Sequence, residues 1–245
     1  MKKILVSTIA AASLVVAAQA AEKNPDALVT HTELGYIQTN GNTDTKTFNL
    51  DANAKKAWGK HQGSLKLDGQ YGSADGIENK KKYLIEANYD YSITDRLAFN
   101  YLAGYKSDIY SGFDYQFYTG PGAKYQAIKM DNHNLSLTAN ILYSEDKYHN
   151  AAPGTDDTNN YTGYRAQGIY LWDIVNNLKF TQELGIRGAF DDSENYFATS
   201  KTALTTKISD IFSAGISYKI DYVNQQRPGL ENKDTTFTAN LIMDY

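Results

Sequence analysis

No cysteine occurs in the chain, which excludes a disulfide framework and a thiol nucleophile and leaves no residue for lipid attachment behind a leader. Proline is scarce, at 4 residues. Basic residues are outnumbered, 24 Lys and Arg against 28 Asp and Glu, so the clustered basic face that nucleic acid asks for is missing. Long apolar runs are absent beyond the first twenty residues. There Lys2 and Lys3 precede an apolar stretch from Ile4 to Val16 and then Ala18-Gln19-Ala20. This three-part form predicts a secretory signal peptide over 1–20, cleaved after Ala20. The stretch is too short for a membrane-anchoring helix, which needs about 20 apolar residues. The domain over 21–245 then carries 22 basic residues (24 less Lys2 and Lys3) against 28 acidic ones, a net charge of about −6.

What the chain does hold is aromatic residues, with 20 Tyr, 9 Phe and 2 Trp. Tyrosine suits a boundary with one oily and one wet side, and aromatic residues favour strands. A two-residue period runs throughout, while no segment sustains the 3.6-residue period of a helix. In "FNLDANAKKAW", Phe48, Leu50, Ala52, Ala54 and Trp58 alternate with Asn49, Asp51, Asn53 and Lys55. "YLIEANYDY" repeats the pattern with Tyr83, Ile85, Ala87, Tyr89 and Tyr91, and "FTANLIMDY" closes it with Phe237, Ala239, Leu241, Met243 and Tyr245. Twelve such segments can be counted. The first lies near 30–39, and the least distinct lies near 196–208, where Thr202, Leu204, Thr206 and Ile208 form a mildly apolar face.

The connections alternate in length. Short ones fall at 59–62, 92–95, 129–134, 173–177 and 209–211; longer polar ones fall near 73–81, 107–115, 145–160, 190–195 and 223–234. The connection near 40–44 is short but takes a long connection's place in the alternation. This layout predicts an all-β fold, a transmembrane antiparallel up-and-down β-barrel of about twelve strands, with tight turns and both termini in the periplasm of a bacterial outer membrane. In such a barrel lipid takes the apolar face, and closure leaves no strand edge to meet it. A soluble, secreted sandwich also alternates. Aromatic placement separates the two, because a sandwich would bury its aromatics in mid-strand. Here Trp58, Tyr91, Phe99, Tyr125, Trp172, Phe180, Phe212 and Tyr245 gather near the short turns. Phe48, Tyr71, Tyr83, Tyr105, Phe117, Tyr143, Tyr164, Tyr222 and Phe237 gather near the long ones. Two girdles flanking an apolar band are the mark of a membrane barrel. The terminal aromatic Tyr245 on an alternating last strand looks like the signature read by barrel-assembly machinery, which makes that machinery an expected partner during biogenesis, alongside outer-membrane lipid and lipopolysaccharide.

At "SDIYSGFDYQFYTGPGAKY" (107–125) and "KDTTFTANLIMDY" (233–245) the sequence resembles a family of salt-induced outer-membrane proteins, the uncharacterised bacterial domain family 481. "GYIQTNGNTDTKTFNLDA" (35–52) matches the family's opening and "DRLAFNYLAGY" (95–105) its middle. The resemblance covers nearly all of the chain after the leader. It implies an outer-membrane barrel, and its name implies a salt or osmotic response; it implies no reaction.

Catalytic chemistry finds little footing. His149 alone lies in a long loop; His31 sits before or within the first strand, and His61 and His133 lie in short turns. A barrel hydrolase acting at the outer surface is the alternative, with His149 beside Asp146, Asp156, Asp157, Asp191 and Asp192, although no spacing fixes these groups together. Acidic loops at 153–160 and 191–195 offer oxygen ligands without the calcium-loop pattern, so divalent-ion bridging to lipopolysaccharide phosphate is the most they suggest. No catalytic residue, cofactor site or metal site is assigned.

The inward faces say more. Asp51, Asp68, Glu86, Asp90, Glu183 and Asp221 share the expected lumen with Lys55, Lys66, Lys106, Lys124, Arg165, Lys179, Arg187, Lys201, Lys207 and Lys219. Charges that meet away from bulk water pair with one another, so salt bridges that plug the barrel are one reading. A narrow passive pore is the other, since twelve strands fall between side-chain-filled barrels of eight and water-filled ones of sixteen. Inward Gly104, Gly120, Gly122, Gly185 and Gly215 would leave room, or else mark strand bending and close approach. A surplus of inward cations would favour small anionic solutes. The function expected is therefore an envelope role or narrow passage of small solutes, without catalysis.

Overall fold

The computed structural model describes residues 27–39, 45–149, 157–226 and 229–244. The leader expected over 1–20 and the terminal Tyr245 lie outside these. Twelve strands run in sequence: β1 (Leu28–Thr39), β2 (Thr45–Trp58), β3 (His61–Ala74), β4 (Ile77–Ser92), β5 (Leu97–Asp108), β6 (Phe113–Lys129), β7 (His133–Tyr148), β8 (Thr158–Val175), β9 (Leu178–Ala189), β10 (Tyr196–Lys207), β11 (Phe212–Val223) and β12 (Lys233–Asp244). Each pairs antiparallel with its neighbours in the chain, and β12 returns to β1, giving a closed up-and-down barrel. The indistinct segment near 196–208 is β10, fully paired on both sides.

Alternation decides which way each side chain points, and register carries the pattern around the wall. Phe48 opposes Tyr71, Ala52 opposes Leu67, and Ala123 opposes both Phe99 and Ala139. One face of the sheet is therefore apolar all the way round. That face is the outside: Ile141 is 61 % exposed and Phe237 60 % exposed, whereas Asp146, Asn100 and Gln116 are almost wholly buried. This inverts the usual globular arrangement and matches a surface solvated by lipid. The strands are 12 to 18 residues long, more than the roughly 9–11 that a tilted strand needs to cross a bilayer's hydrocarbon.

The end carrying the chain termini has the tight turns at 59–60, 93–96, 130–132, 176–177 and 208–211. The opposite, loop end departs from expectation most at 73–81, and β7 and β8 also take up 145–148 and 158–160 of the loop expected at 145–160. The polar stretch 73–81 is no long loop but two long strands joined by Asp75 and Gly76, both with positive φ (50° and 78°). Asp-Gly in this conformation makes a two-residue turn whose twist suits a hairpin. The segment 107–115 holds a single 3-10 turn, Ile109–Ser111, capped by Asp108, whose side chain accepts from the Ser111 amide at 3.3 Å.

The closing seam is the weakest pairing. Among the described residues β1 and β12 are in register only over His31–Leu34 against Leu241–Asp244, while β1 and β2 pair from Leu28 to Thr39. From the lumen side the seam is tied by Asn240 donating to Glu33 at 2.5 Å and by His31 against Asp244 at 2.6 Å.

Candidate functional site: the lumen

Inward alternation brings the expected charges together as ion pairs inside the barrel, several of them across it. Lys66 meets Glu183 at 3.5 Å, Lys124 meets Asp90 at 2.7 Å, Arg165 meets Glu86 at 3.5 Å and Lys219 meets Asp68 at 2.7 Å. Lys201 holds Asp51 at 2.9 Å and Glu33 at 3.3 Å. Arg187 donates to Asp146 at 3.3 Å and to the Tyr161 hydroxyl at 2.9 Å, its guanidinium lying 4.8 Å from the Tyr118 ring centre and 4.5 Å from that of Phe197. Lys55 makes no ion pair among the described residues, and Lys179 and Lys207 pair with Asp173 and Asp210 near the rim of the termini end.

Several lumen groups escaped sequence reading. Lys82 is buried and pairs with Asp221 at 2.6 Å and Asp108 at 3.6 Å. It was hidden because 73–81 reads as a loop; its place one residue before Tyr83 in the alternation marks it as inward. Glu33, Asp108, Asp146 and Asp234 also face in. Asp146, assigned to a loop, is held inside by Arg187, Tyr161 and Gln116.

The barrel is not filled evenly. Leu102, Tyr118 and Leu142, with Leu84 against them, form an apolar cluster on the inner wall of β4–β7, and Asn100 and Asn140 are hydrogen-bonded beside it at 2.7 Å. That wall is solid. Glycines do not hollow it: a Cβ on Gly104 would lie 2.3 Å from the Tyr118 ring, and one on Gly120 would lie 2.0 Å from the Ile141 carbonyl oxygen. Close approach, not free space, is their role.

Along β9–β11 the lumen stays open as three cavities with shared walls. A vestibule of about 630 Å³ opens at the termini end and reaches Asp51, Lys66, Glu183 and Lys201. The same four residues floor a central cavity of about 120 Å³, also lined by Asp68, Lys82, Glu86, Lys106, Arg165, Arg187, Lys219 and Asp221. Lys106, Phe197, Thr199 and Asp221 then separate it from a smaller pocket of about 20 Å³ at the loop end. A side pocket of about 30 Å³ branches toward the seam and is lined by Asn49, Asp68 and Gln70. Asn49 Oδ1 and Nδ2, Asp68 Oδ1 and Gln70 Oε1 have no hydrogen-bond partner among the described residues. Buried polar atoms of this kind call for water; Asn140 Oδ1 and Ser144 Oγ on β7 are in the same position.

Outside, Trp58, Tyr91, Tyr125 and Trp172 are each more than a third exposed near the termini end. The girdle there recruits two histidines. His61 and His133 are not turn residues but the first residues of β3 and β7. His61 stacks on Trp58 at 5.9 Å and meets the Tyr89 hydroxyl at 2.6 Å; His133 stacks on Trp172 at 5.6 Å and meets the Tyr170 hydroxyl at 2.7 Å. His149 is paired with Asp114 at 2.6 Å, and Asp157 with Lys147 at 3.6 Å; Asp156 lies outside the described residues. Among the described residues no group of His, Asp and Glu is placed to hold a metal ion.

Residues 32–245 match the model of a family described as "Protein of unknown function, DUF481". The chain is 27 % identical over 216 residues to the uncharacterized protein YdiY of Escherichia coli (strain K12), covering 86 % of this chain and 80 % of that one. Among solved structures it overlaps the NanC porin (TM-score 0.48, 12 % identity, 89 % of this chain and 97 % of the porin). It likewise overlaps the KdgM porin (TM-score 0.46, 11 % identity, 89 % and 99 %). These overlaps are loose, and no solute transfers from them.

Proposed function

This chain belongs to the DUF481 family, and from that premise we propose an integral outer-membrane barrel that gives small solutes a narrow passive path along one wall of its lumen, with its termini and tight turns in the periplasm. The observation that carries this reading is the run of cavities with shared walls along β9–β11, from the 630 Å³ vestibule through the 120 Å³ central cavity, inside a closed barrel whose outer face is apolar. The opposite wall is packed solid, so the path is far narrower than the barrel. Ion pairs across the lumen set its width, and they also fix the shape of the wall.

The test is single-channel recording on the refolded barrel without residues 1–20 in a planar lipid bilayer. Small discrete openings are expected. Silence from a protein shown to be folded by its heat-dependent gel mobility and β-type circular dichroism would sink the path and leave a purely structural role in the envelope.

A further inference from the structure

We infer that the neck between the central cavity and the loop-end pocket is a binding site for a small oxoanion the size of inorganic phosphate, with Lys106 as its principal donor. The inference rests on the preceding reading only in requiring that solute reach the lumen from water.

The lumen charges are matched almost throughout. Each other cation lining the central cavity has a carboxylate within 3.5 Å. Lys106 has only Asp108, at 3.8 Å, and that carboxylate already faces Lys82 at 3.6 Å and caps the Ser111 amide. No hydrogen bond from the Lys106 ammonium is made within the protein's described residues, although its side chain is only 18 % exposed. An ammonium is three donors and no acceptor, and one left unmatched away from bulk water is costly.

Placement then favours an anion over a carboxylate of the chain. Asp108 and Asp146, which balance Lys106 and Arg187, are 4 % and 1 % exposed and belong to the wall, whereas both cations line the cavity. The five carboxylates that do line the cavity, Asp51, Asp68, Glu86, Glu183 and Asp221, are each already paired with another cation, Lys201, Lys219, Arg165, Lys66 and Lys82 in turn, so none is left over for Lys106. Lys106 borders the central cavity and the loop-end pocket alike, so an anion at the neck would sit beside it with Thr199 as a hydroxyl donor. The central cavity on the inner side of the neck is about 120 Å³, many times the 10–15 Å³ that one water needs, and takes a phosphate-sized ion beside Lys106.

Isothermal titration of inorganic phosphate into the refolded barrel, at fixed ionic strength, tests the site without relying on conductance. Saturable one-to-one binding is expected, weakened about tenfold or more in Lys106→Gln, as for loss of one charge-assisted hydrogen bond, and retained in Lys106→Arg. Lys147→Gln, at an outer ion pair, is the control and keeps wild-type affinity. No saturable binding to the wild-type barrel, or equal binding to Lys106→Gln, overturns the site even if the barrel conducts. Binding that Lys106→Gln removes from a barrel silent in bilayers upholds the site and defeats the passage reading instead. Heat-dependent gel mobility of each variant verifies folding, and Lys106→Met, also uncharged, is expected to weaken binding likewise and is read instead should Lys106→Gln fail to fold.

Discussion

Gly104 lies directly beneath the Tyr118 ring, and a methyl group there would come within 2.3 Å of it. The ring is pinned from both sides, by its hydroxyl donating to Glu86 at 2.7 Å and by packing on Leu102 and Leu142. Gly104→Ala must therefore displace Tyr118 and loosen the packed wall, at a cost of about 1–3 kcal/mol, as for overpacked cores; a lower urea midpoint of the barrel in detergent would register it. Asp146 and Arg187 obey a different logic. Both are buried, and Asp146 also accepts from Tyr161 at 2.8 Å and Gln116 at 3.2 Å. Asp146→Ala strands a guanidinium and is expected to cost about 3–5 kcal/mol, whereas replacing both partners with apolar residues recovers most of that. If the double variant unfolds no later than the single one, the pair is not acting as a pair.

At the scale of strands, the alternation of apolar and polar residues was enough to read twelve strands and a closed antiparallel barrel from sequence. What it hid depended on turns and on partners distant in the chain. The stretch 73–81 reads as a polar loop because Lys80, Lys81 and Lys82 follow one another, yet Asp75-Gly76 turns the chain in two residues and the lysines continue β4. The pairing of Lys82 with Asp221, 139 residues away, has no local signal at all. Nor has the short seam. Beyond Leu34 and Leu241, β1 and β12 leave register, so alternate amides of Lys233–Asn240 that face β1 should exchange with deuterium faster than those bonded to β11. Glu33→Ala, by removing the tie to Asn240, should extend that fast exchange toward Leu241. Uniform protection along β12, read by NMR of the refolded protein, would show instead that the seam is as firm as the other pairings.

For the whole molecule, what matters is that the lumen has two unlike walls. Leu84, Leu102, Tyr118 and Leu142 fill the side of β4–β7, while the cavities follow β9–β11 and narrow where Phe197 stands between the central cavity and the loop-end pocket. Phe197 is held there by an edge contact with Phe113 at 5.6 Å and by the Arg187 guanidinium over its ring. A path confined to one wall makes a prediction that a uniformly wide channel does not. Phe197→Ala removes the ring from the neck and should raise single-channel conductance, since the neck is the narrowest resistance in series with a much wider vestibule. Leu142→Ala deletes comparable apolar bulk from the packed wall, where it costs about 2–5 kcal/mol of stability, yet should leave conductance near the wild-type value because the cavity it opens is walled off from the path by Tyr118. Recording both variants side by side decides the matter: equal increases would mean that solute crosses the lumen without regard to its two walls, and an increase from Leu142→Ala alone would place the path on the opposite side.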